Sequence, residues 1–170
     1  MDLTDYTAGF RPELVVIPCG VRKLDHRAQA ADMYIGSYHR ACRRAAEALQ
    51  PDRLVILSAF HGLLDLSDEI DPYDIPHGHP DAVTVPILRD QAERFGVTAL
   101  DPVVILGGAR HVALATAIWP HARTPLTGTR GMGEQFARLT AMARAAGTQP
   151  PAMAKTRSPR RAVAVRRLNS

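Results

Sequence analysis

The sequence predicts an α/β domain over residues 1–147: a three-layer sandwich with a mainly parallel, Rossmann-like sheet. A basic, disordered tail over 148–170 is expected to follow. Three observations predict this arrangement. Leu14–Ile17, Leu54–Leu57 and Val103–Leu106 are continuous apolar runs, the pattern of strands buried on both faces. Segments with helical spacing separate them. From Gly147 onward the periodicity vanishes, and Pro, Ala, Thr, Ser and Arg dominate.

The elements follow in order. Residues 1–12 are a lead-in, and Pro18 and Gly20 stop the first strand. A single helix is expected from about Ala30 to Leu49. Tyr34, Tyr38, Ala41, Ala45 and Leu49 form its apolar stripe, and Arg40, Arg43, Arg44 and Glu47 lie opposite. Pro51 and Asp52 end it, and the second strand follows. Residues 65–81 are rich in Asp, Pro, Gly and His and read as a loop. A helix from about Thr84 to Phe95 stops at Gly96. After the third strand, Gly107-Gly108 turns into a helix from about Ala109 to Ile118. Arg123–Leu126 is a short fourth strand, Thr127–Gly133 a loop, and Glu134–Ala146 the last helix.

Composition narrows the class. Apolar residues make up 46% of the 170 and charged residues 22%, ordinary values for a globular chain. No apolar run approaches the length of a membrane span. Met1–Arg11 is acidic and polar, unlike a secretory signal, so a cytoplasmic protein is expected. The net charge of +4 is uneven: residues 151–170 carry six basic side chains and no acid, while residues 1–150 are close to neutral. The tail is therefore expected to contact phosphate, and the body is not expected to offer a broad nucleic-acid face.

The chemistry collects at strand ends, which a parallel sheet brings to one edge. Cys19 follows the first strand, with Gly20, Arg22 and Lys23 close behind. Positive neighbours and turn amides would lower its thiol pKa and populate a thiolate near neutral pH. Lys23 carries weight because the chain has 2 lysines against 19 arginines, and an arginine cannot exchange a proton. Ser58 and His61 end the second strand. They lack a nucleophile elbow, so Ser58 is read as a phosphate or ribose contact and His61 as a base contact or proton shuttle. Tyr73 and Asp74 follow on the loop, and a carboxylate near a ribosyl bond can act as nucleophile or acid. Gly107, Gly108 and Arg110 form a phosphate cradle at a helix start, and Arg130 offers a second. No metal and no cofactor are expected. Neither Cys19 nor Cys42 has the spacing of a zinc site, and His77-Gly78-His79 reads as a solvated loop.

Pro18-Cys19-x-x-x-Lys23, Leu57-Ser58-Ala59-x-x-Gly62-Leu63-Leu64 and Pro72-Tyr73-Asp74 together resemble a widespread bacterial and phage family of unknown function. That family is related to the peroxide-stress protein YaaA. The resemblance covers roughly residues 14–145. The Pro-Cys-x-x-x-Lys start is also similar to the catalytic core of archaeosine synthase, which modifies a deazaguanine base in transfer RNA. These resemblances imply a nucleobase or nucleic-acid connection. The leading expectation is an enzyme that acts on a nucleobase or nucleotide, modifying or excising a base in DNA or RNA. The alternative is a non-catalytic, YaaA-like DNA-binding protein of the oxidative-stress response. A small-molecule binding domain on a Rossmann-like scaffold is a third.

Overall fold

The computed structural model describes residues 10–147; the expected tail, 148–170, lies outside the described residues. In chain order the elements are β1 (Leu14–Pro18), β2 (Ala28–Gln29), α1 (Ala30–Met33), α2 (Ser37–Ala48), β3 (Arg53–Ser58) and β4 (Gly62–Asp65). They continue with β5 (Glu69–Ile70), α3 (Val85–Arg94), β6 (Val103–Ile105), α4 (Ala109–Thr116) and α5 (Met132–Gly147).

The three apolar runs form the parallel centre of a four-stranded sheet of order β4-β3-β1-β6. β1 pairs in parallel with β3, Val16 opposite Val55, and with β6, Val16 opposite Ile105. All five residues of β1 are buried, which is why its sequence is apolar without alternation. Its side chains still point alternately to the two faces. Val15, Ile17, Ile56 and Val104 pack with Ala45 and Leu49 and with Leu139 and Met142 of α5. Leu14, Val16, Leu57 and Ile105 pack with Leu88 and Ala92 of α3 and with Ala115 and Trp119. Burial of a side chain such as Ile17 contributes about 1.5–3 kcal/mol.

The structure corrects three expectations. The single helix over 30–49 is two helices, broken at Tyr34–Gly36. The Ile35 N–H donates to the Arg22 carbonyl at 3.0 Å, and the Leu24 N–H donates to the Met33 carbonyl at 2.9 Å. These bonds tie the chain to the turn after β1 and compete with the helical ladder. The loop expected over 65–81 begins inside structure. β4 folds back antiparallel on β3, Leu57 opposite Leu63, and β5 pairs antiparallel with β2. Gly62, at φ +76°, makes the turn between β3 and β4, and a Cβ there would collide with Gln91. Gln91 accepts from the Leu63 N–H at 2.8 Å and donates to the His61 carbonyl at 2.7 Å, so the turn is clamped from α3. The short strand expected at Arg123–Leu126 reduces to a single parallel bridge between Val104 and Arg123. No helix among the described residues is long and apolar enough to cross a membrane.

Candidate functional site

The carboxyl ends of β1, β3 and β6 face one cavity of about 390 Å³. Of the residues expected from sequence, Cys19, Gly20, Lys23, Tyr73, Asp74, Gly108 and Arg110 line it. Val21, Ala59, Ile75, Pro76, His77, Ala109 and His111 complete the wall.

Each strand end supports its part of the wall. The Cys19 N–H donates to the Leu57 carbonyl at 3.0 Å, so the thiol is held where β1 leaves the sheet. At the end of β3, Ser58 is fully buried. Its Oγ accepts from the N–H groups of Phe60 and His61 at 3.2 and 3.0 Å and bonds the Tyr73 hydroxyl at 2.8 Å. The Tyr73 hydroxyl also meets that of Tyr34 at 3.0 Å. This chain of hydroxyls fixes the Tyr73 ring, and Lys23 Nζ stands over that ring, 4.3 Å from its centroid. At the end of β6, Gly107 has φ +154°, and a Cβ there would lie 3.1 Å from the His111 Cβ. Glycine at this turn lets the first turn of α4 bring His111 back over the sheet edge. The Arg110 guanidinium donates to the His77 carbonyl at 3.0 Å, which draws the loop after β5 across the opening.

Two histidines that the sequence reading did not use complete the floor. His77 Nε2 lies 2.9 Å from His111 Nε2, and Cys19 Sγ lies 3.6 Å from His111 Nε2. His77, expected on a solvated loop, is half-buried instead. The signal that could have found His111 is its position. A side chain in the first turn of a helix leans toward the helix N-terminus, here the strand end.

Other expected residues stand elsewhere. Ser58 has no exposed surface for a phosphate or ribose and serves as the anchor of Tyr73. His61 packs edge-on against Tyr73 at 5.1 Å and does not line the cavity; its Nε2 is buried without a hydrogen-bond partner. Gly107 lies behind His111 rather than in the wall. Arg130 sits ahead of α5 with its side chain 95% exposed, paired with Glu134 at 3.6 Å and outside the cavity.

Burial dominates the electrostatics. It pushes the Cys19 thiol up, and it outweighs the Ala59 backbone, the Tyr73 hydroxyl and the Lys23 charge, all of which pull the other way. The expected thiolate near neutral pH is therefore corrected: the Lys23 charge is the smaller effect. Burial also raises Tyr73, and it holds Tyr34 at about 12. His111 is pressed down to about 3 by burial and then by His77. His77 is lowered by burial and by the Arg110 charge. A thiolate–imidazolium pair is thus disfavoured at both members, while neutral imidazoles keep lone pairs for a ligand.

Residues 14–141 match the model of a family of unknown function, DUF6884. The uncharacterized protein YfjM of Bacillus subtilis (strain 168) is 33% identical over 138 residues, covering 74% of this chain and 91% of the relative. No solved structure matches. The matched region contains all the residues that line the cavity, and on that match the chain belongs to the DUF6884 family.

Proposed function

We propose that the chain is an enzyme acting on a nucleobase or nucleotide bound in the cavity above β1, β3 and β6. The two covered sheet faces support a three-layer, Rossmann-like reading of the fold. Such folds take ligands beyond the carboxyl ends of their strands. The observation that carries the proposal is the convergence, in one apolar cavity, of polar groups from separate segments: Cys19, Lys23, Asp74 and Arg110. The volume of about 390 Å³ suits a small molecule. Val21, Ile75, Pro76 and the Tyr73 ring offer apolar walls for a planar heterocycle, and Arg110 at the start of α4 suits a phosphate. Lys23 and Asp74 supply a proton donor and a proton acceptor within the same wall. The resemblance of Pro18-Cys19-x-x-x-Lys23 and its companion motifs to YaaA-like proteins and to archaeosine synthase favours the same substrate class.

Calorimetric titration with nucleobases, nucleosides and nucleotides tests the proposal. One-to-one binding of a base-bearing compound is expected. Arg110→Ala is expected to weaken the phosphorylated form about tenfold more than the nucleoside, the loss of one charge-assisted contact. If no compound of the three classes binds, the reading falls. The six basic residues of 151–170 favour a second reading, a DNA-binding protein without catalysis. Turnover of a bound base or nucleotide separates the two.

A further inference from the structure

We propose that Cys19, His77 and His111 form a site for one zinc-class divalent ion, with a fourth coordination position open to the cavity. The three residues come from separate segments: the turn after β1, the loop after β5 and the first turn of α4. Sγ and one imidazole nitrogen from each histidine lie within 4.8 Å of one another. Around a tetrahedral zinc, with Zn–S of about 2.3 Å and Zn–N of about 2.0–2.1 Å, the S···N separation is roughly 3.6 Å and the N···N separation roughly 3.3 Å. Cys19 Sγ and His111 Nε2 are 3.6 Å apart, and the two Nε2 atoms are 2.9 Å apart. Admitting the ion opens the Nε2 pair by about 0.4 Å and rotates the two rings so that both lone pairs face it.

Without an ion, the two histidines share a hydrogen bond between their Nε2 atoms at 2.9 Å, with rings at 82° and centroids 4.3 Å apart. Coordination to one tetrahedral ion would replace that bond and turn the rings apart, to centroids about 5 Å from each other. A cysteine–histidine dyad does not require the second imidazole. One sulfur and two imidazole nitrogens favour zinc over magnesium or calcium, which prefer oxygen. Three protein ligands with one open position is the pattern of a catalytic rather than a structural zinc. The use of that position on a substrate rests on the nucleotide reading; the binding of the ion does not. His77 Nδ1 is buried without a partner, so nothing orients this ring from behind, and it is the weakest of the three ligands.

The test strips the full chain with a chelator and titrates it with Zn²⁺ against a chromophoric competitor, then with Co²⁺. One equivalent is expected, with a thiolate-to-cobalt charge-transfer band in the near ultraviolet. Cys19→Ser should abolish the band. Cys19→Ser and His111→Ala should each lower Zn²⁺ affinity at least about 100-fold, and His77→Ala by less. Cys42→Ala, on α2 outside the cluster, should retain both band and affinity. Circular dichroism establishes that each variant folds; if His111→Ala does not, Cys19→Ser and His77→Ala carry the test. Absence of a tight equivalent, or an equivalent indifferent to Cys19 and His77, overturns the site. Nucleotide titration of both the stripped and the zinc-loaded protein keeps the two readings apart. Nucleotide binding without metal binding overturns only the metal site, and the reverse overturns only the nucleotide reading.

Discussion

Ser58 shows how one small polar residue at a strand end is committed by its neighbours. Itself fully buried, it accepts two backbone N–H groups and anchors Tyr73. Ser58→Ala removes the acceptor of both N–H groups and the Tyr73 anchor, and urea unfolding should find a loss of about 1–3 kcal/mol. Tyr73→Phe removes only the hydroxyl link and should cost about 1 kcal/mol. His39 carries a pH effect. It donates Nδ1–H to the Pro18 carbonyl at 2.7 Å, and burial holds its pKa below the ordinary 6.5. A depressed folded pKa contributes stability above 6.5 that is lost as pH falls toward the folded value, because the unfolded chain takes the proton first. His39→Asn keeps an N–H donor near the Pro18 carbonyl and does not titrate. Its stability should therefore fall less steeply below about pH 6.5, by up to about 1.4 kcal/mol per pH unit. Equal acid limbs for the two proteins, measured by urea midpoints across pH, would remove His39 as a contributor.

At the scale of elements, the long apolar strands were legible in the sequence and the joints between elements were not. Leu14–Ile17 and Leu54–Leu57 announce themselves because burial on both faces needs an unbroken apolar run. Tyr34, Tyr38, Ala41 and Ala45 keep helical spacing across a break. The bonds that break the helix come from Arg22 and Leu24, which no local window contains. β2 and β5 have two residues each, too short for any periodicity, and they exist because they pair with one another. The β3–β4 turn depends on Gln91, nearly thirty residues away in α3. Gly62→Ala should therefore destabilise by about 1–3 kcal/mol, through positive φ and the collision with Gln91. Gly62→Ala with Gln91→Ala should recover part of the steric share. Thermal unfolding of the single and double variants measures that coupling.

At the scale of the whole molecule, basic charge and the cavity fall in different parts of the sequence. Residues 151–170 carry six basic side chains and no acid, and every residue that lines the cavity lies between 19 and 111. Deleting 148–170 should leave the thermal unfolding of the body unchanged. It should also weaken any nonspecific DNA binding and flatten its salt dependence by several phosphate equivalents. Fluorescence anisotropy across a salt series checks this, and an unchanged slope would assign the contacts to the body. The sequence by itself determined the α/β class, the parallel central strands and the gathering of Cys19, Lys23, Tyr73, Asp74 and Arg110 at one edge. Strand burial and strand direction are written in local composition, and parallel strands share their carboxyl ends. Only the tertiary structure decided the broken helix, the burial of Ser58 and the raised thiol of Cys19. It alone brought His77 and His111 onto that thiol. Desolvation and convergence depend on what packs around a residue, and the groups that pack here lie tens of residues away along the chain.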